Sequence, residues 1–255
     1  MNDDRSDMNT SMSMFGKEMS RREVMKTGMK GAAYAAPVLL ASALPAGALA
    51  QSAVSGTAAR VKAIFTVART AEQLAVTFYS NGVANAAVLG LTAVQKAQLQ
   101  AALVEEQLHQ LLFTAQGGDS LADTFSFPQG AKTFTDLQTF IATQQQLEGV
   151  FDSAFLAAVR EFAELGQPVL AQIASQIATV ESDHRALGRA IAGLDPADNW
   201  TYAPVLVSFV ADAPAAVAAA GFLSPVPGNS YKYVQVDTTS TPNILFKDGP
   251  FTKRP

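Results

Sequence analysis

Residues 99–113 read LQAALVEEQLHQLLF, and residues 174–188 read ASQIATVESDHRALG. In both stretches apolar residues recur every three or four positions, which is the spacing of one face of an α-helix. The middle of each apolar face carries a glutamate followed three residues later by a histidine: Glu106 with His109, and Glu181 with His184. Because residues three apart lie on the same side of a helix, each pair can direct both side chains to one point.

Two further segments have the same spacing but carry a single glutamate on the apolar face. The first runs over residues 61–79 and contains Glu72, and the second runs over residues 137–162 and contains Glu148. The four apolar faces predict a four-helix bundle in which each helix contributes a polar interruption near its middle. If the interruptions lie at one depth, they form a single polar site inside an apolar core.

The turns place the interruptions at the same depth. Gly90 and Thr92, a helix stop and a helix N-cap, lie midway between Glu72 and the first Glu-x-x-His pair. The turn at 165–168, reading LGQP, lies midway between Glu148 and the second pair. Residues 117–132 are rich in turn formers and are predicted to be a non-helical crossover, long enough to run the length of the bundle.

Composition narrows the chemistry available to this site. The chain of 255 residues is 49% hydrophobic, which is enough for one well-filled core, and it has no cysteine. Disulfides, iron–sulfur clusters, cysteine-bound zinc and thiol nucleophiles are therefore excluded. Two histidines are too few for a three-histidine zinc site. The 18 basic and 22 acidic residues make the chain slightly acidic, which argues against a nucleic-acid partner.

Each Glu-x-x-His could also be an ordinary pair of side chains one helical turn apart. Four glutamates buried at one level, however, need a compensating cation. An unpaired buried carboxylate destabilises the folded state by several kcal/mol. We therefore favour a metal site, which must consist of carboxylates and histidines.

The pattern closely resembles the ferritin-like di-iron/di-manganese carboxylate family over roughly residues 57–193. In that family, two helices each supply a glutamate and two others each supply a Glu-x-x-His, which together hold two metals. The resemblance implies an all-α fold, a ferritin-like four-helix bundle with a long crossover between helices 2 and 3, and two metal ions, Fe or Mn. The ligands that it implies are Glu72, Glu106, His109, Glu148, Glu181 and His184, with Glu106 and Glu181 bridging.

Departures from better-known relatives limit the expected reaction. In ribonucleotide reductase small subunits, a radical tyrosine lies where this chain has Phe113. Rubrerythrin-like proteins have a cysteine-bound iron and an additional glutamate, and the position of that glutamate is Phe151 here. Stable radical storage and electron delivery from a built-in iron centre are therefore not expected.

The N-terminus resembles a twin-arginine export signal. Residues 20–26 read SRREVMK and precede an apolar stretch over 31–49, which ends in the small-residue sequence ALA at 48–50. Such signals carry folded proteins across a bacterial or archaeal membrane. A transmembrane anchor is the alternative, but the stretch contains two prolines and two glycines and ends in small residues. We predict an exported protein of the periplasm or cell envelope, with no membrane attachment after signal cleavage.

The chain is thus predicted to have three parts: a cleaved signal over 1–50, a bundle over 51–194 and a C-terminal part over 195–255. In the last part, residues 203–222 predict a fifth helix or a pair of short helices, broken by Pro214. The remaining residues predict a loop-like tail with one or two short strands, at 231–236 and 243–246.

Other polar residues near the site receive mostly structural interpretations. Glu105 points about 100° away from Glu106 on a helix, so we expect it to be solvated, and we expect the same of Asp183. Glu161 and Glu164, near the end of the third helix, are expected at the surface. Gln144 and Tyr79 are compatible with hydrogen bonding to ligands or with simple packing. Core packing rather than a substrate channel is expected for Phe140, Phe151, Phe155 and Phe162.

Two functions remain open at this stage. The first is a redox enzyme that acts on O₂ or peroxide as an oxidase, peroxidase or catalase-like protein. The second is a non-catalytic stress or envelope protein that the metal site stabilises. Residues 71–79, AEQLAVTFY, and 220–225, AGFLSP, resemble exported ferritin-like proteins related to plant desiccation-associated proteins. Iron storage in a cage is less favoured, and a homo-oligomer is compatible with the sequence.

Overall fold

The computed structural model describes residues 56–239, 241 and 244–250. The predicted export signal lies outside these residues. Four long helices make up most of the described part: α1 (Thr57–Ala84), α2 (Ala93–Ala115), α3 (Leu137–Glu164) and α4 (Pro168–Ile191). The fold is an all-α bundle, as the sequence predicts. No helix in the described part of the chain is both long and apolar enough to span a membrane.

Both predicted hairpin turns are present. Thr92 is the N-cap of α2, where its hydroxyl accepts from Gln95 N and its own N–H donates to the Gln95 side chain. Gln95 Nε2 also donates to the carbonyl of Ile191, so the cap joins the start of α2 to the end of α4. In the second hairpin, Gly166 adopts a φ of 70°, which favours glycine, and Pro168 begins α4.

The crossover between α2 and α3 is mostly irregular, as expected. It contains β1 (Thr124–Phe125) and a 3₁₀ helix at Gly130–Phe134, whose first three residues fall within the predicted non-helical stretch. Asp136 then caps α3, accepting from Thr139 N. Because the site residues lie about three to four turns into both α2 and α3, these two helices start at the same end of the bundle.

The C-terminal part contains less helix than the sequence predicts for residues 203–222. Residues 203–209 are irregular and are followed by a 3₁₀ turn, Val210–Asp212, and the short helix α5 (Ala213–Ala219). Pro214 does not break a helix: it lies in the first turn of α5, where the missing N–H costs nothing. The Ser153 hydroxyl accepts from the backbone of both Leu206 and Val207, which holds the irregular segment against α3.

One tail strand is present and pairs with the crossover. Strand β2 (Tyr231–Lys232) is antiparallel to β1 and is shorter than the predicted stretch over 231–236. Residues 244–246 form no strand, and Asn243 lies outside the described residues.

The expected surface position of Glu161 is wrong, because its side chain is buried and accepts from Val210 N at 2.7 Å. The segment that returns after α4 covers it. Glu164 is exposed, as expected.

Two apolar clusters fill the bundle, one on each side of the polar layer. The first contains Phe78, Phe140 and Phe151, and the crossover ring of Phe127 packs against it. The second contains Phe65, Phe113, Phe155 and Phe162. The phenylalanines of α3 are therefore core residues, as expected.

We expect Thr92→Ala to lower the free energy of unfolding by about 1 kcal/mol, because it removes the acceptor for Gln95 N. Urea denaturation measures this change. Thr92→Ser keeps the acceptor and is the matched control. Equal losses in the two variants would contradict the assigned cap.

Candidate metal centre

The four helices bring all six predicted residues to one layer. Glu72 lies on α1, Glu106 and His109 on α2, Glu148 on α3, and Glu181 and His184 on α4. The four glutamates are at most 1% exposed, and His184 is 3% exposed. Burial of this kind is unusual for glutamate, which is almost never fully buried without a partner.

Ligand atoms from these residues converge in two overlapping groups, in each of which the atoms lie within 4.8 Å of one another. One group consists of Glu72, Glu106, His109 and Glu181, and the other of Glu106, Glu148, Glu181 and His184. Glu106 and Glu181 belong to both groups. This is the arrangement that two bridging carboxylates require. Metal binding by these two residues stays a prediction.

Eight buried atoms of this layer have no hydrogen-bond partner among the described residues. They are Glu72 Oε1, Glu148 Oε2, both carboxylate oxygens of Glu106 and of Glu181, and the Nδ1 atoms of His109 and His184. His184 Nδ1 does lie 2.9 Å from Glu106 Oε1, but the two atoms are not aligned as a hydrogen bond. Since buried polar atoms are nearly always paired, this cluster fits a bound cation, to which lone pairs point together.

The electrostatics show the same need for positive charge. Burial and the neighbouring carboxylates raise the pKa of Glu72 and Glu148 well above the ordinary value. Burial and Glu106 also raise the pKa of Glu181. Burial acts on the pKa of Glu106 in the same direction, but the charge of His184 and the close contacts with Glu72 and the two histidines outweigh it and lower that pKa. Without a metal, the layer must therefore retain protons on some carboxylates.

The expectation that Glu105 is solvated holds only in part. Its side chain is 35% exposed, and its Oε2 lies 2.9 Å from His184 Nε2. The Glu105 side chain points away from Glu106 and His109, the predicted ligands on its own helix. It points towards α4, where it contacts Nε2 of the predicted ligand His184. No signal within α2 reveals this contact, because it depends on how α2 packs against α4. Asp183 is exposed, as expected.

Tyr79 and Gln144 hydrogen-bond within the site. The Tyr79 hydroxyl donates to Glu148 Oε1, and Gln144 Nε2 donates to Tyr79 Oη at 3.0 Å and to the His184 carbonyl at 2.7 Å. Gln144 occupies the space beside Gly188, where any Cβ would collide with its amide. This network orients the α3 glutamate and the α4 histidine together.

Two ionisable residues next to the layer, Asp152 and Arg185, have no counterpart in the sequence interpretation. Asp152 lies one turn beyond Glu148, and burial together with the charge of Glu181 raises its pKa to about 6. Arg185 follows His184, stacks on Trp200 at 3.5 Å and lies 3.6 Å from Asp198. In the sequence, Asp152 is recognisable as a neighbour of the site because it lies four residues after the predicted ligand Glu148. Arg185 is not, because the residues that it contacts, Trp200 and Asp198, lie in the C-terminal part.

A small apolar pocket lies at the end of the bundle where α1 begins. Its lining includes Phe65, Phe113 and Phe155, which stand one to two helical turns from site residues on their own helices. Phe113 is the position at which relatives have a radical tyrosine, and here its ring packs against Phe65 and Phe155.

A family model described as the ferritin-like domain matches residues 60–194. The chain belongs to the ferritin-like family. No curated protein and no solved structure matches the chain. The matched region contains all four long helices except the first residues of α1, and every residue of the ferritin-like polar layer. Membership of the exported, desiccation-related branch remains a proposal.

We expect the metal-free protein to lose stability as the pH rises from about 5 to 8. Folding raises the pKa of Glu72, Glu148 and Glu181, so above pH 4.5 the unfolded chain releases protons that the folded chain keeps. The free energy of unfolding then falls by up to about 1.4 kcal/mol per pH unit for each group. The raised pKa of His184 acts in the same direction, because its contribution is lost as the pH rises through the folded-state value.

Glu148→Gln removes one of these groups, so its urea-denaturation profile should fall less steeply with pH than that of the wild type. The exposed Glu164→Gln is the matched control and should keep the wild-type slope. Parallel profiles for the wild type and Glu148→Gln would contradict the burial of an ionisable group at this position.

Proposed function

We propose that this chain binds two Fe or Mn ions in the polar layer and uses them in redox chemistry with O₂ or peroxide. The observation that supports the proposal is the convergence of eight unpaired, buried carboxylate and imidazole atoms from four helices. Mixed oxygen and nitrogen ligands suit Fe and Mn, and no cysteine competes. Two such ions would supply electrons by changing between the +2 and +3 states.

The chain's own residues bind, orient and exclude water. Glu106 and Glu181 stand between the two halves of the layer, whereas Glu72 and Glu148 each belong to one half. The Tyr79 hydroxyl occupies Glu148 Oε1, which leaves Oε2 free to face the layer. The apolar clusters on both sides keep the layer dry, which strengthens the electrostatic interactions within it.

The apolar pocket supports small, uncharged oxidants as substrates. Its carbon lining favours O₂ over ions, and it ends one to two turns from the site residues. The absence of a tyrosine at Phe113 agrees with two-electron chemistry that stores no stable radical there.

We expect the double variant Glu106→Ala/Glu181→Ala to lose metal binding while it keeps its helix content, because both residues belong to each half of the layer. Elemental analysis and circular dichroism of the purified mature protein measure these properties. Glu164→Ala/Asp183→Ala removes two exposed carboxylates and is the matched control. Two bound metals in the first variant would overturn the ligand assignment.

Assays of O₂ and peroxide consumption on the metal-loaded wild type then separate the two functions. Turnover that disappears in Glu106→Ala/Glu181→Ala supports the redox enzyme. Two bound metals without turnover support the alternative, a stress or desiccation-related envelope protein that the metals stabilise.

We further propose that the protein folds and takes up its metals before it is exported. A Glu/His site binds copper or zinc more tightly than manganese or iron wherever those ions are free, so selection must come from the folding compartment. A twin-arginine route moves folded proteins and would carry the metals out already buried.

Replacement of Arg21 and Arg22 by lysine should therefore leave a folded, metal-loaded precursor in the cytoplasm, which cell fractionation and elemental analysis detect. Arg5→Lys, outside the motif, is the control and should not affect export. A retained precursor without metal, together with an exported protein that loads only from added metal, would contradict the proposal.

A further inference from the structure

The two histidines of the layer are held differently, although their Glu-x-x-His motifs are alike. The His184 ring is 3% exposed, and both of its nitrogens have close carboxylates: Glu106 Oε1 at 2.9 Å from Nδ1, and Glu105 Oε2 at 2.9 Å from Nε2. Its backbone carbonyl accepts from Gln144, and its ring packs edge-on against Tyr79. His184 is therefore fixed before any metal binds.

His109 has no comparable support. Its Nδ1 lies 3.7 Å from Glu72 Oε2 and 3.8 Å from the nearest oxygens of Glu106 and Glu181. Its side chain is 15% exposed, and among the described residues no hydrogen bond is formed by its Nε2. The His109 ring is thus held by fewer close contacts than the His184 ring and is partly exposed.

The sequence explains the difference. Glu105, the residue before Glu106, reaches across to the histidine of α4. The residue in the same place before Glu181 is Val180, whose side chain has no acceptor to offer the histidine of α2. The near twofold arrangement of ligands is therefore broken at positions 105 and 180, in addition to the contacts that Tyr79 and Gln144 make in the half with His184.

We infer that the two halves of the centre are unequal: the half with Glu148 and His184 fills first and holds its ion tightly, and the half with Glu72 and His109 fills second and exchanges its ion. This inference rests on the proposed dinuclear site. A carboxylate on the outer nitrogen of a ligand histidine fixes its tautomer and orientation and raises its basicity, and its loss typically costs about 10- to 100-fold in metal affinity. Glu105 is a positioning residue for one half only.

Titration of the metal-free mature protein with Mn²⁺ tests the inference, with free Mn²⁺ followed by its electron paramagnetic resonance signal. We expect two binding steps whose dissociation constants differ by about tenfold or more. His109→Ala should retain the tight step, and His184→Ala should lose it. Two equal steps, or loss of the same step in both variants, would overturn the inference.

Glu105→Gln should weaken the tight step about 10- to 100-fold and leave the weak step unchanged. Val180→Glu supplies the missing acceptor and should narrow the gap between the steps. The exposed Asp183→Asn is the control and should change neither step. If Glu105→Gln weakens both steps equally, Glu105 is only structural and the inference fails. If the wild type binds no Mn²⁺, the inference fails, and the proposed function fails as well if Fe²⁺ added without oxygen is not bound either, whereas two equal steps leave the proposed function standing.

Discussion

Mutual repulsion among four carboxylates buried in one layer is the constraint on which this molecule depends. The ligand atoms of each group lie within 4.8 Å of one another. At an effective dielectric constant of about 20, two unit charges at that distance repel by about 3 to 4 kcal/mol. A few such pairs match the entire free energy of unfolding of a typical domain, about 5–15 kcal/mol. The layer must therefore be protonated or hold cations, and its eight unpaired atoms favour cations.

The rest of the bundle places and protects this layer. Apolar clusters on each side exclude water, and short hairpins set each lone glutamate level with a Glu-x-x-His. The crossover brings α3 back to the end where α2 starts, and its Phe127 and Phe134 pack against Phe78. The polar contacts outside the ligands are unequal on the two sides: Glu105, Tyr79 and Gln144 all support the half that contains His184. The half of the layer with His184 is therefore held by more polar contacts than the half with His109, although the ligands themselves are nearly symmetric.

Sequence periodicity is enough to find the bundle and the six residues of the layer, because helical spacing puts an interrupting Glu or His on the buried face. Thr92 and Pro168 mark the turns through local chemistry that needs no tertiary information. The expectations that need correction, for Glu105 and Glu161, share a cause: each side chain hydrogen-bonds to a residue on another segment, and the pattern along its own helix gives no signal of that contact. The C-terminal part was predictable only in outline, because its conformation follows from docking onto α3 rather than from a repeating pattern.

Crystallography of the purified mature protein, with anomalous diffraction recorded at the Fe and Mn absorption edges, tests the central claim most directly. We expect two anomalous peaks between Glu106 and Glu181, one beside Nδ1 of His109 and one beside Nδ1 of His184. A layer without anomalous density, in which waters or shared protons link the four carboxylates, would contradict it.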